Sequence, residues 1–205
     1  MSKRVNRDDI DKFHDYSLYI PTRTIYMGSE HVNDDDFSES GVEATMAERF
    51  VKNITILEMA SQEPVTIIMN NPGGDWFHGM AIYDAIKTAK SHVTIKVFGM
   101  AMSMGGVLLQ AADERIISPN AKFMMHYGYM GLSPTHSKIF DKWSDENKRI
   151  NKEMEQLFLS KIKEKHPDFK LKKLEEMLNF DTILSAQETV DLGLADKVLG
   201  QEEHE

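Results

Sequence analysis

The 205-residue chain contains no cysteine, which excludes disulfides, thiolate-held metals and a cysteine nucleophile together. Any covalent catalyst must be another residue. No apolar run approaches the roughly 18 residues that a membrane helix needs, so no span is expected. Basic residues are in deficit, 24 Lys and Arg against 33 Asp and Glu, a net charge of −9. Such a chain has no general excess of positive charge with which to attract nucleic-acid phosphates or an anionic lipid surface, and neither partner is expected. Met1 to Lys12 is charged and has no apolar core of signal-peptide type, so a cytoplasmic location is expected. Prolines are few, six in all, and two of them mark element boundaries below.

What is present is ordinary for a folded domain: 41% hydrophobic and 28% charged residues, in a length that suits one core with an appended helical arm. The first forty residues are polar apart from a strand-like island, Thr24-Ile25-Tyr26-Met27, ended by Gly28. The acidic run Asn33-Asp34-Asp35-Asp36 reads as solvated loop or helix entry rather than a metal site, because adjacent carboxylates repel and hydrate. Val42 to Ala60 carries apolar residues near helical spacing, and Pro64 closes it. Val65 to Met69 is a β-branched run suited to a covered sheet, broken sharply by Asn70-Asn71-Pro72-Gly73-Gly74. Met80, Ile82, Tyr83 and Ile86 then mark a helix, and Val93 to Phe98 a second strand. After a glycine-rich turn, Val107 to Ala112 reads as a helix, and Arg115–Ile117 and Lys122–Met125 as short strands. The order is α/β.

From Ser137 to Lys165 the apolar positions Ile139, Phe140, Trp143, Ile150, Met154, Leu157, Phe158 and Ile162 recur at three- and four-residue spacings among charges. One long amphipathic helix is predicted. It is too long to pack wholly on so small a core, so it either projects with an apolar stripe that needs a partner or lies flat over the sheet.

Four features can carry chemistry. Ser103 lies in Gly-Met-Ala-Met-Ser-Met-Gly-Gly, between a strand and an apolar helix, where a hydroxyl can act as nucleophile or merely cap the helix. His126 closes a short strand and can reach a cleft as a base, or serve as a surface residue. Asp181 precedes a helix whose start is signalled by the capping box Ser185 and Glu188, and can orient a histidine or turn the chain. Gly73-Gly74 can direct backbone N–H groups into a cleft, cradle a phosphate, or form a plain turn; its spacing fits neither common nucleotide motif.

Asn71-Pro72-Gly73-Gly74 with Ile82-Tyr83-Asp84, Ala101-Met102-Ser103-Met104-Gly105, Pro119-Asn120-Ala121 with Met125-His126, and Asp181 with Leu184-Ser185-Ala186, Glu188, Gly193-Leu194 and Asp196-Lys197-Val198 resemble the proteolytic subunit of the Clp protease. The match runs in register from about Val65 to Leu199. The resemblance implies the ClpP/crotonase-like α/β fold of β-β-α units with a projecting helical handle. It divides the chain into a polar segment 1–40, a head of 41–133 and 167–199, a handle of 134–166 and a tail of 200–205. It implies a serine endopeptidase acting on unfolded polypeptides through an acyl-enzyme. Ser103 would be the nucleophile, His126 the general base and Asp181 its orienting carboxylate, with the backbone N–H groups of Gly74 and Met104 as the oxyanion hole. No metal or other cofactor is implied, ATP being used only by a separate AAA+ unfoldase. The partners implied are further copies of the chain, in seven-membered rings that stack through the handles.

Some positions depart from the family. The aromatic residues that line its unfoldase-docking pocket are matched by Thr66, Ile68 and Thr88, and the Asp-Arg pair that links its rings by Asn179 and Phe180. Tyr127 to Ser137 keeps Gly128 and Gly131 but lacks the usual glutamine-glycine elements. These departures describe a divergent member. They leave a catalytically weak assembly subunit of the same fold as one alternative; the other is a crotonase-type acyl-CoA enzyme, which shares the fold and its paired backbone N–H groups.

Overall fold

The computed structural model describes residues 6–28, 41–129 and 136–201, and the acidic run Asn33–Asp36, Gly131 and residues 202–205 lie outside them. In chain order the described residues form α1 (Arg7–Tyr16), β1 (Leu18–Tyr19), β2 (Thr24–Gly28), α2 (Ala44–Ala60), β3 (Val65–Asn71), α3 (Trp76–Lys87), β4 (Val93–Met102), α4 (Met104–Leu109), β5 (Glu114–Ile117), β6 (Lys122–Met125), α5 (Ser137–Lys165), α6 (Leu171–Leu178), β7 (Thr182–Ser185), α7 (Ala186–Leu192) and β8 (Lys197–Val198). Two β-β-α units, β1-β2-α2 and β5-β6-α5, flank the β-α pairs β3-α3 and β4-α4. The strands form one sheet in the order β1-β2-β3-β4-β5-β8, with β6 on β4 and β7 on β6. All pairings are parallel except β1 with β2 and β7 with β6.

The alternation of β3 decides which face meets the core. Val65, Ile67 and Met69 are fully buried, and Thr66, Ile68 and Asn70 on the other face are half-buried. On α2 the buried residues Ala47, Phe50, Ile54 and Leu57 follow helical spacing, and on α3 Ile82 and Ile86 do the same. Each such side chain removed from water contributes about 1.5–3 kcal/mol, which is what holds helices of modest propensity against the sheet.

β4 changes neighbour part-way along. Thr94 to Val97 pair with β5, whereas Met100 to Met102 pair with β6. Against β3, Met69 faces Val97 and Asn71 faces Ala101, so four residue steps on β4 match two on β3. Gly99 sits in this bulge at φ +83°, and a Cβ there would lie 2.5 Å from Asn70 Oδ1. The glycine that promises an end to the strand at Phe98 therefore marks a kink, and the chain stays extended to Met102. The kink swings the end of β4 onto β6, the strand that leads to His126.

α5 divides the two readings of its sequence. Ile150, Met154, Phe158 and Ile162 are buried, and Phe158 meets Phe123 of β6 edge to face at 6.1 Å. The first half is the more exposed, with Ile139 50%, Phe140 54% and Trp143 40% exposed, although Trp143 still meets Phe77 of α3. Other boundaries also move: β3 runs on to Asn71, and α4 covers Met104–Leu109 rather than Val107–Ala112. Asp181 is followed by β7 before its capped helix α7, and α1, β1 and α6 are further elements.

Glu43 caps α2 through both carboxylate oxygens, accepting from the N–H groups of Thr45 at 2.9 Å and Met46 at 2.8 Å. The Thr45 N–H foremost holds the Glu43 carboxyl below its ordinary range. Because the folded value is the lower one, the cap's contribution is whole above the unfolded carboxylate pKa and is lost as pH falls through the depressed value. Glu43→Ala should cost about 1 kcal/mol at neutral pH. The deficit should vanish in acid, as read by urea titrations at the two pH values; an equal deficit at both would refute the charged cap.

Candidate active site

The turn after β3 is built by Asn71, which is fully buried and accepts the Gly73 N–H on its side-chain oxygen at 2.9 Å. Gly73 and Gly74 follow at φ +110° and +140°. A Cβ on Gly73 would fall 2.6 Å from Ser103 Cβ and 3.1 Å from the Met104 nitrogen, so only glycine lets this turn lie against the Ser103–Met104 peptide. From the other side Val42 clamps it, donating its N–H to Gly73 O and accepting the Asp75 N–H at 2.8 Å. Asp75 then caps α3 by accepting the His78 N–H at 2.9 Å.

Ser103 stands between β4 and α4 with φ 51° and ψ −119°, a conformation that costs a non-glycine residue about 1–3 kcal/mol. Its N–H donates to Met124 O of β6 at 2.9 Å, and its carbonyl accepts from Gly106 and Val107. Although it occupies the cap position of α4, its side chain makes no capping bond. The hydroxyl instead lies 2.9 Å from His126 Nε2. His126 Nδ1 in turn lies 2.9 Å from Asp181 Oδ1. The imidazole is 13% exposed and the carboxylate 58%, so the line runs from the interior to the surface. The structure thus brings together Ser103, His126 and Asp181 from three separate segments, and Gly74 and Met104 line one cavity with Ser103 and His126. Met104 is the first residue of α4, where a backbone N–H has no partner within the helix.

That cavity, about 650 Å³, lies between the serine and the long helix. Trp76 and Phe77 of α3 and Trp143 of α5 form its aromatic wall, Phe77 meeting Trp143 edge to face at 6.3 Å. Tyr129 sets its ring edge-on to His126 at 5.5 Å. Tyr127 braces the same segment: its N–H donates to Leu178 O at 2.7 Å and its hydroxyl to Glu155 Oε1 of α5 at 2.5 Å. Burial and this carboxylate push the Tyr127 hydroxyl well above its usual range, so it stays a donor.

The sequence reading misses Val42, Tyr127 and the aromatic wall. Val42 has no local signature, since its partner is thirty-odd residues away. The wall could have been found: Trp76 and Phe77 directly follow the glycine turn, and an aromatic pair at the mouth of a functional turn is a stronger signal than a helical apolar position.

Among the described residues no group of three or more His, Asp or Glu could hold a metal ion, and no helix is long and apolar enough to cross a membrane.

By its geometry this is an α/β fold with a hydroxyl, an imidazole and a carboxylate in one hydrogen-bonded line, the class of arrangement that can activate a serine. The model of the Clp protease family matches residues 31–202. The ATP-dependent Clp protease proteolytic subunit of Deinococcus radiodurans is 31% identical over 189 residues, 91% of this chain and 84% of that protein. The ATP-dependent Clp protease proteolytic subunit 3 of Parasynechococcus marenigrum is 33% identical over 180 residues, 86% of this chain and 82% of that one. The chain belongs to the Clp protease family, and its fold is of the ClpP-like type.

Proposed function

We propose that this chain is a serine endopeptidase subunit that hydrolyses polypeptides through an acyl-enzyme. The observation that carries the proposal is the pair of 2.9 Å contacts, Ser103 Oγ to His126 Nε2 and His126 Nδ1 to Asp181 Oδ1. A serine hydroxyl is not ionised at neutral pH, so His126 Nε2 takes its proton as Oγ attacks the scissile carbonyl carbon. Asp181 accepts the Nδ1–H, which leaves Nε2 free to act and stabilises the imidazolium. The N–H groups of Gly74 and Met104 hold the oxyanion. When the tetrahedral intermediate collapses the C–N bond breaks, and the leaving amine takes the proton from His126. Water, deprotonated by the same nitrogen, then attacks the ester, releasing the carboxylate and restoring Ser103.

The names of the two relatives include the word subunit, and the exposed first half of α5 carries apolar residues. Both support assembly with further copies through the 134–166 handle, in stacked seven-membered rings around a chamber. Substrate is delivered by a separate AAA+ unfoldase, the only consumer of ATP, and the head of 41–133 and 167–199 needs no cofactor. Thr66, Ile68 and Thr88 stand where the family's docking aromatics would be, so docking uses other contacts. The cytoplasm is the proposed location.

A fluorophosphonate probe, which reacts with activated serines, tests the chemistry. One label per chain is expected, on the peptide that contains Ser103. Absence of label, or a label on another peptide, would sink the assignment.

A further inference from the structure

The antiparallel pairing of β6 with β7 ends at Met125 opposite Thr182, and one step further His126 stands opposite Asp181, their side chains 2.9 Å apart. Past that point the ladder gives way to a helix end. The Tyr127 N–H donates to Leu178 O and the Thr182 hydroxyl to Met177 O, each at 2.7 Å. The residue after the histidine and the residue after the carboxylate are thus fastened to neighbouring carbonyls in the last turn of α6, groups that lack partners within the helix. Leu174 and Leu178 anchor that helix in the core.

Beyond Tyr127 the packing thins: a Cβ on Gly128 would meet no atom of the described residues within 4 Å, and Tyr129 is 90% exposed. Tyr127 is held twice. Besides its main-chain bond, its hydroxyl reaches across to α5 and donates to Glu155 Oε1 at 2.5 Å, a bond to a carboxylate and so of the stronger kind. Glu155 lies between Met154 and Phe158, two buried residues of α5, and Phe158 packs on Phe123 of β6. The hydroxyl is therefore tied to the helix on which the strand of His126 rests. Burial, with Glu155 and then Glu175 facing the hydroxyl, keeps it protonated as the donor.

The geometry points to Tyr127 and Glu155 as positioning residues of the proposed reaction: their hydrogen bond fixes the backbone of His126 so that its imidazole meets the Ser103 hydroxyl and the Asp181 carboxylate at once. The inference deepens the proposed function and rests on it. An imidazole that faces two partners through opposite ring nitrogens tolerates little displacement, and a shift of about 1 Å can lower a rate by about 100-fold. Neither Tyr127 nor Glu155 lines the cavity beside Ser103, so their effect passes through His126.

The test is the rate at which the fluorophosphonate labels Ser103, a step that needs the base but no bound polypeptide, measured beside steady-state cleavage. Tyr127→Phe removes one oxygen and keeps both the ring and the main-chain bond to Leu178. It should label about 10- to 100-fold more slowly yet still reach one label per chain, and for cleavage kcat should fall by the same factor with KM unchanged. Glu155→Ala should match it, whereas Glu155→Gln, which keeps an acceptor, should recover most of the rate. The double variant Tyr127→Phe with Glu155→Ala should be no slower than either single one. An unaltered labelling rate in Tyr127→Phe would overturn the inference. So would a reduced extent of labelling at an unaltered rate, which marks misfolded chains rather than a misplaced base. Should Glu155→Ala not fold, Tyr127→Phe and Glu155→Gln decide between them, equal losses in the two overturning the role of the bond. Absence of label on the unaltered protein would instead remove the proposed catalyst, and the role of Tyr127 with it.

Discussion

Replacing His126 by alanine is expected to lower kcat toward an unfolded polypeptide by about 10⁴-fold or more while KM changes little. On the proposed reading the imidazole takes the hydroxyl proton, and it lines the cavity beside Ser103, apart from the aromatic wall of Trp76, Phe77 and Trp143. Its polar contacts are with Ser103 and Asp181, and its ring contact is with Tyr129, an exposed residue. The melting temperature should therefore move little, which distinguishes a lost base from a lost fold. Residues that act as one unit are strongly non-additive. A protein lacking both Ser103 and His126 should be about as inactive as either single variant, and a double variant slower by the product of the two single losses would contradict the shared mechanism. Turnover of an unfolded substrate, with circular dichroism melts on the same preparations, decides it.

Asp196→Ala should have the largest effect on stability, about 3–5 kcal/mol. Arg115 is 6% exposed, and its guanidinium donates from Nε to Asp196 Oδ2 at 3.2 Å and from one terminal nitrogen to Asp196 Oδ1 at 2.5 Å. Its other terminal nitrogen donates to Gln110 Oε1 at 2.8 Å and Gly193 O at 3.0 Å. Gln110, itself fully buried, donates to Gly106 O of α4 and to Leu194 O. Without Asp196 the cation keeps its burial and loses its countercharge. Such a loss exceeds the usual worth of a surface ion pair, because Arg115 is buried even though Asp196 is 38% exposed and its removal admits some water. Asp196→Asn retains hydrogen-bond acceptance and should fall between. Urea midpoints for the three proteins give the order; a midpoint for Asp196→Ala within error of the unaltered chain would show that the buried cation is satisfied by Gln110 and Gly193 alone.

Ser103, His126 and Asp181 were legible as candidates because each stands where a local pattern changes: strand to helix, strand to loop, turn to capped helix. The local pattern of Ser103 alone favoured a helix cap, whereas its hydroxyl makes no capping bond and meets His126, 23 residues away, a contact that no local pattern encodes. Gly99 misled, because a glycine that ends a strand and one that kinks it look alike until the register with Asn71 and Ala101 is known. The spacing of α5 is equally amphipathic in both halves, so only the packing of Phe158 on Phe123 reveals which half is buried. α6 escaped notice because its buried residues are just Leu174 and Leu178, too few to establish a period in so short a helix.

The change of neighbour along β4 has a consequence for how such a chain can diverge. Ser103 N–H to Met124 O is the last rung of the β4–β6 ladder, and His126 stands two residues beyond Met124. The spacing of the Ser103 hydroxyl and the His126 imidazole is thus set by main-chain rungs, once Gly99 has kinked β4 onto β6. Surface residues and the loops around the cleft can be exchanged without moving the hydroxyl from the imidazole, so what the chain meets can change while the contact between these two groups stays.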